Sequence, residues 1–150
     1  MSDYILSLMP EDPSYVPPAE AQSRALAAYR AIAPEASHIE CRVFDQITFI
    51  DQGSNFEKVQ CPACGKDVTN HWSEWMERAF ESKFRDLSIV TPCCGIHTNL
   101  NDLTYVWPAG FARVVLRAQN PNLGGFLSSE DHSVLETLMG CKLRQVYAHY

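Results

Sequence analysis

Phe111-Ala112-Arg113-Val114-Val115-Leu116-Arg117-Ala118 is the stretch on which the architecture turns. Ala112, Val114, Leu116 and Ala118 share one parity, and Phe111, Arg113, Val115 and Arg117 the other. That alternation predicts a β-strand with one wet face, carrying the arginines. Asn120-Pro121-Asn122 breaks the pattern. Ser128 with Asp131 after it has capping-box spacing and opens a helix. Val134, Leu135, Leu138 and Met139 form its apolar stripe, and Gly140 is placed to stop it. Lys142 to Tyr150 then reads as a further strand.

The amino-terminal end repeats the theme. Tyr4 to Met9 reads as a short strand closed by Pro10 and a turn-rich stretch. A helix follows, opened by Pro17-Pro18 and ended before Pro34, with Ala25, Leu26, Tyr29, Ile32 and Ala33 on one face. Ile39, Cys41, Val43, Ile47 and Phe49 then share a parity interrupted only by Asp45. This is one long strand, or two folded at Asp45-Gln46. Two strand-helix-strand units predict an α+β fold, a ferredoxin-like split β-α-β sheet. Residues 1–150 read as a single domain.

Between the two units, from about residue 51 to 108, the composition changes. All three tryptophans and all four clustered cysteines lie there. After Thr69-Asn70, the positions Trp72, Trp75, Met76, Ala79, Phe80 and Phe84 fall on one face of a helix. Cys61-Pro62-Ala63-Cys64-Gly65-Lys66 has the form of a zinc knuckle, entered by Val59-Gln60. Two thiolates three positions apart can face one ion, and the glycine permits the turn that aims backbone N–H groups at sulfur. Thr91-Pro92-Cys93-Cys94-Gly95 is a second such group, entered by Leu87-Ser88-Ile89-Val90. Two strand-to-knuckle arms predict an inserted zinc-ribbon-like segment with Zn2+ held by Cys61, Cys64, Cys93 and Cys94. Adjacent cysteines tend to diverge, however, and Cys94-Gly95-Ile96-His97 offers His97 as another ligand in place of Cys93.

His38-Ile39-Glu40 followed by Cys61-Pro62-Ala63-Cys64 superficially matches the H-x-E…C-x-x-C signature of zinc nucleotide deaminases. His38-Ile39-Glu40 begins a strand pattern where that chemistry needs a helix start. Gln60, not proline, precedes the first cysteine, and a second cysteine group fills the position that water would need.

The charge balance narrows the partners. Lys and Arg number 12 against 18 Asp and Glu, a net charge of −6, which disfavours nucleic acid. The longest apolar run, Ala25 to Tyr29, is far below the ~20 residues of a membrane span. The amino terminus lacks the basic region of a signal peptide, so the expected location is cytoplasmic and the cysteines are thiols rather than disulfides.

The run Phe49 to Gly65, Thr91-Pro92-Cys93-Cys94-Gly95, Leu100-Asn101-Asp102-Leu103, Tyr105 to Ala112 and Tyr147 to Tyr150 together resemble a family of small bacterial zinc-ribbon-containing proteins of about this length. The resemblance spans the whole chain. It implies that both cysteines of the Pro-Cys-Cys-Gly group belong to the site, which favours Cys93 over His97, and it implies no activity.

No nucleotide-binding glycine loop or nucleophile-base pair is legible. The expectation is therefore a non-enzymatic, zinc-stabilised protein that binds another protein. Acidity and size suit an inhibitor or immunity-type protein that neutralises a basic bacterial toxin. The alternative is a zinc-dependent hydrolase or deaminase-like enzyme, and a nucleic-acid-binding zinc ribbon ranks below both. Asn99, Asn101, Asp102 and the surroundings of Trp107 are the expected docking groups, although such Asn and Asp residues commonly satisfy turn backbone instead.

Overall fold

The computed structural model describes residues 2–150. It is a mixed α/β structure with three α-helices and a four-stranded antiparallel sheet. In chain order these are β1 (Tyr4–Pro10), α1 (Ala19–Ile32), β2 (His38–Ile50), β3 (Lys58–Gln60), α2 (Thr69–Glu81), β4 (Ser88–Val90), β5 (His97–Asn99), β6 (Thr104–Val106), β7 (Gly110–Gln119), α3 (Ser129–Met139) and β8 (Leu143–His149). A single 3-10 turn, Leu100–Asp102, joins β5 to β6. The sheet order is β2-β7-β1-β8, with every neighbouring pair antiparallel. Thus β7 lies between the strands that α1 connects, and β1 lies between those that α3 connects.

Leu6, Leu8, Leu116 and Ala118 meet Ala25 and Tyr29 of α1 and Leu135 and Met139 of α3 in one core. The Tyr29 hydroxyl, buried with its ring, donates to the Leu6 carbonyl at 2.7 Å. Desolvation there raises its pKa far above the ordinary phenol range. Helix α3 has the predicted ends: Ser128 Oγ accepts from the Asp131 amide at 3.2 Å, and Gly140 is left-handed at φ 74°. Strand β2 is continuous, and its register on β7 shifts between Val43 and Thr48, near the expected fold.

Three expectations about exposure do not hold. Strand β7 has no wet face: Phe111 packs into the second core, Val115 is buried in a concavity it shares with Ile5, Phe44 and Tyr150, and even Arg113 and Arg117 are half-buried. Val134 is 48% exposed, since α3 turns Leu135 and Met139 into the core, with Leu138 packed at its margin. Phe80 is 66% exposed, because α2 turns Trp75 and Ala79 inward.

A second core holds the segment between β2 and β7. Val59, Val68, Trp75, Ile89, Leu100 and Tyr105 pack there against Phe111 and Phe49 from the end of the sheet. A polar seam joins the two bodies. Asn101, 3% exposed, accepts the Phe111 amide on Oδ1 at 2.9 Å and donates from Nδ2 to the Glu11 carbonyl at 2.9 Å. Arg144 of β8 donates to the carbonyls of Asn101 and Ala109, each at 2.9 Å. Replacing Asn101 by alanine strands a buried N–H and shortens this seam. Urea unfolding of Asn101→Ala should show a loss of about 2–4 kcal/mol, against less than about 0.5 kcal/mol for a control at exposed Glu77.

Candidate metal centre

Each cysteine group begins where a three-residue strand ends. Strand β3 delivers Cys61, and β4 delivers Thr91. The two turns that follow have the same backbone hydrogen bonds. The Cys61 amide donates to Lys66 O at 2.8 Å, and the Gly65 amide donates to Cys61 O at 3.0 Å. In the second turn the Thr91 amide donates to Ile96 O at 3.0 Å, and the Gly95 amide donates to Thr91 O at 2.9 Å. Gly65 and Gly95 take matching left-handed conformations, φ 76° and 70°. The two knuckles therefore superimpose Cys61 on Thr91, Ala63 on Cys93, and Cys64 on Cys94.

That superposition explains the adjacent cysteines. The second knuckle carries its extra sulfur on the position that Ala63 holds in the first, so the two knuckles supply different pairs of directions. Cys64 Sγ lies 3.3 Å from Cys93 Sγ, and Cys61 Sγ lies 3.7 Å from Cys94 Sγ. All four sulfurs fall within 4.8 Å of one another. Around a tetrahedral ion with Zn–S of about 2.3 Å, neighbouring sulfurs stand about 3.8 Å apart, so the spacing is compatible with a bound metal. His97 starts β5, exposed, and is not part of this group.

The electrostatics favour thiolate at the buried end. The Cys64 amide, joined by that of Ala63, lowers the Cys61 thiol to about 6 despite burial. Cys64 receives a lowering contribution from the Lys66 amide, but its hydrogen bonds to Cys93 and the other thiols, with desolvation, push it up to about 11. Four sulfurs this close cannot all ionise without a cation between them. Thr91, which the sequence reading passed over, places its hydroxyl 3.6 Å from Cys94 Sγ. Aligning C-P-A-C-G with T-P-C-C-G on proline and glycine was the available signal for it.

Other residues singled out in the sequence serve the fold. Asn99 Oδ1 accepts the Asp102 amide at 3.0 Å, and its Nδ2 donates to the Asp102 carboxylate at 2.9 Å. With Asn101 buried, the expected docking loop is internally consumed. Glu40 sits on β2 in register with Arg117, 3.6 Å from its guanidinium, and is not part of the cysteine group. Arg113 and Arg117, expected on a wet face, are engaged instead: Arg113 donates to Phe44 O, and Arg117 faces Glu40. Trp107 remains. Its backbone is held at φ 26°, its carbonyl accepts from buried Gln52 at 2.9 Å, and its indole N–H donates to Glu57 at 3.0 Å.

Because both knuckle glycines are left-handed and no atom crowds the site of a Cβ, substitution there reads conformation alone. Gly65→Ala and Gly95→Ala should each destabilise by about 1–2 kcal/mol in chemical unfolding, with similar losses for the matching turns. Unequal losses would mean that the turns differ in solution.

No helix among the described residues is long and apolar enough to cross a membrane. Compared with known proteins, the chain matches no family model, no curated protein and no solved structure, so the site itself carries the functional argument.

Proposed function

We propose that this is a non-enzymatic, zinc-stabilised binding protein of the cytoplasm whose partner is a basic protein. The reading takes the sheet as ferredoxin-like, with residues 51–108 as a zinc-ribbon-like insertion and the small bacterial zinc-ribbon family as its kin. The observation that carries it is the convergence of four cysteine sulfurs within 4.8 Å. Four thiolates fill the coordination of Zn2+ and leave no place for a water or substrate, so the ion acts as a clamp. Soft sulfur donors in tetrahedral array select zinc over hard cations. Cys61, Cys64, Cys93 and Cys94 are its ligands, and Thr91 hydrogen-bonds one of them.

The docking surface centres on Trp107. Its ring stacks with Phe126 at 6.1 Å, and Tyr147 meets both rings edge-on. Phe126 is 42% exposed. Glu57 on the Trp107 indole sets a carboxylate beside the cluster. An aromatic centre with an acidic neighbour, on a chain of net charge −6, suits a basic protein surface. An inhibitor or immunity-type protein that caps a bacterial toxin has these requirements.

Metal analysis should find one zinc per chain. Cys64→Ser and Cys93→Ser should each lose most of it, whereas His97→Ala should keep it. Retention of full zinc by Cys93→Ser together with loss in His97→Ala would reassign the fourth ligand. Affinity capture from the native host should retain a basic protein at low salt and release it as salt rises. Phe126→Ala should reduce capture by about tenfold or more, with zinc content unchanged. Hydrolase or deaminase turnover by the zinc-loaded protein that disappears in Glu40→Gln would overturn the binding reading in favour of the enzyme.

A further inference from the structure

Strand β2 ends the sheet, with β7 on one side and no strand on the other among the described residues. Its outward backbone groups can be assigned. The Asn120 amide donates to Tyr4 O of β1 at 2.6 Å, so alternation along β7 turns Val115, Arg117 and Gln119 toward β2. Their register partners Arg42, Glu40 and His38 therefore bond inward, and Ile39, Cys41 and Val43 point their N–H and C=O groups to the outside. No proline interrupts His38–Ile50, the register shift on β7 falls after Val43, and Val43 is 47% exposed, so residues 38–43 stay open to pairing and their protection rests on the charges of Glu40 and Arg42.

The charges along the edge are complementary to the edge itself. Glu40 and Arg42 flank Cys41 on the face opposite α1. In an antiparallel pairing of two copies centred on Cys41, Glu40 stands across from Arg42 twice, and Ile39 stands across from Val43 twice. Centring on residue 40 would oppose Glu40 to Glu40, and centring on residue 42 would oppose Arg42 to Arg42, so only one of these three registers is attractive. Arg42 lies 5.3 Å over the Phe44 ring, and no carboxylate pairs with it among the described residues. Glu40 has His38 Nε2 at 3.3 Å from Oε2 and Arg117 Nη1 at 3.6 Å from Oε1, and the remaining lone pairs of its carboxylate can accept a further donor. With Cys41 facing Cys41, the outward groups of Ile39, Cys41 and Val43 complete three hydrogen-bonded pairs.

We propose that two copies of this chain pair edge to edge through residues 38–44 of β2, in antiparallel register centred on Cys41, forming a continuous eight-stranded sheet. The two-fold axis runs perpendicular to the sheet and keeps the helices of both copies on one face. This surface is separate from the aromatic patch around Trp107, so a basic partner and a second copy do not compete.

Sedimentation equilibrium on the full, zinc-loaded chain tests the proposal. The wild type should be a dimer in the micromolar range. Glu40→Arg and Arg42→Glu should each weaken it by about tenfold or more, and the double reversal Glu40→Arg/Arg42→Glu should restore it. Circular dichroism and zinc content identify any variant that fails to fold, and either single reversal suffices for the comparison. Hydrogen exchange should show the amides of Ile39, Cys41 and Val43 protected in the dimer and fast in the dissociated variants. A wild type that stays monomeric to millimolar concentration overturns the proposal. So does a dimer indifferent to both single reversals, or a folded double reversal that stays monomeric.

Discussion

Arg144 crosses from β8 to the backbone of the inserted segment, and the relation between sheet and insertion depends on where its guanidinium goes. One nitrogen, Nη1, reaches Asn101 O and Ala109 O at 2.9 Å and Asn101 Oδ1 at 3.3 Å. The same Asn101 side chain accepts the Phe111 amide and donates to Glu11. Residues from β8, the 3-10 turn, β7 and the loop after β1 thus close on one buried amide. Gly110 fits closely at the centre, where a Cβ would crowd Met9 Cε, Arg144 Nη1 and Asn101 Oδ1, the last two pinned by the hydrogen bonds of the seam. A polar node in which no buried side-chain nitrogen or oxygen lacks a partner specifies one arrangement, because any slip leaves such groups unpaired.

The strands that carry the cysteines cannot stand without help. Strands β3, β4, β5 and β6 have three residues each and make only two-stranded pairs, β3 with β6 and β4 with β5. Isolated ribbons of that size are not stable in water. Their support comes from Val59, Ile89 and Tyr105 in the second core and, in the proposed zinc-bound state, from an ion that binds both knuckles. Tyr105 shows how tightly this core is closed. Its hydroxyl donates to Leu100 O at 2.7 Å, accepts from the Trp72 indole at 3.2 Å, and is held far above the ordinary phenol range, chiefly by burial.

What was legible in the sequence followed from local rules. The Ser128 cap, the Gly140 stop and the Tyr29 stripe each need only neighbouring residues, and each lies where those residues predict. The four cysteines were readable because thiol pairs at knuckle spacing have few other uses in a chain of this kind. The misreadings were all of environment. Whether Val115 is wet depends on Phe44 and Tyr150, distant in sequence, which share its side of the sheet, rather than on its alternation. Whether Asn101 is free depends on Arg144, 43 positions away, and on Glu11, 90 positions away. Phe80 lies at the margin of the stripe that Trp75 and Ala79 centre, where Phe84 meets its ring edge-on and leaves the rest exposed. Thr91 was legible in principle, since its turn repeats that of Cys61, but cysteine counting draws attention to sulfur and away from the position it vacates.

The aromatic patch and the cysteine cluster are linked through the shortest elements of the fold. Strand β3 runs directly into Cys61, and its partner β6 ends at Val106, one residue before Trp107; Lys58 and Val106 are in register. Trp107 is held at a positive φ that costs a non-glycine residue about 1–3 kcal/mol. Gln52, 2% exposed, and Glu57 retain it there by hydrogen bonds to its carbonyl and indole. A bound ion that fixes Cys61 thereby fixes β3, β3 fixes β6, and β6 fixes the entry of Trp107 into the surface. On the proposed function the metal has no chemistry to perform. Its effect is to hold an aromatic group in a conformation that the backbone would otherwise leave, so that a partner meets it already ordered.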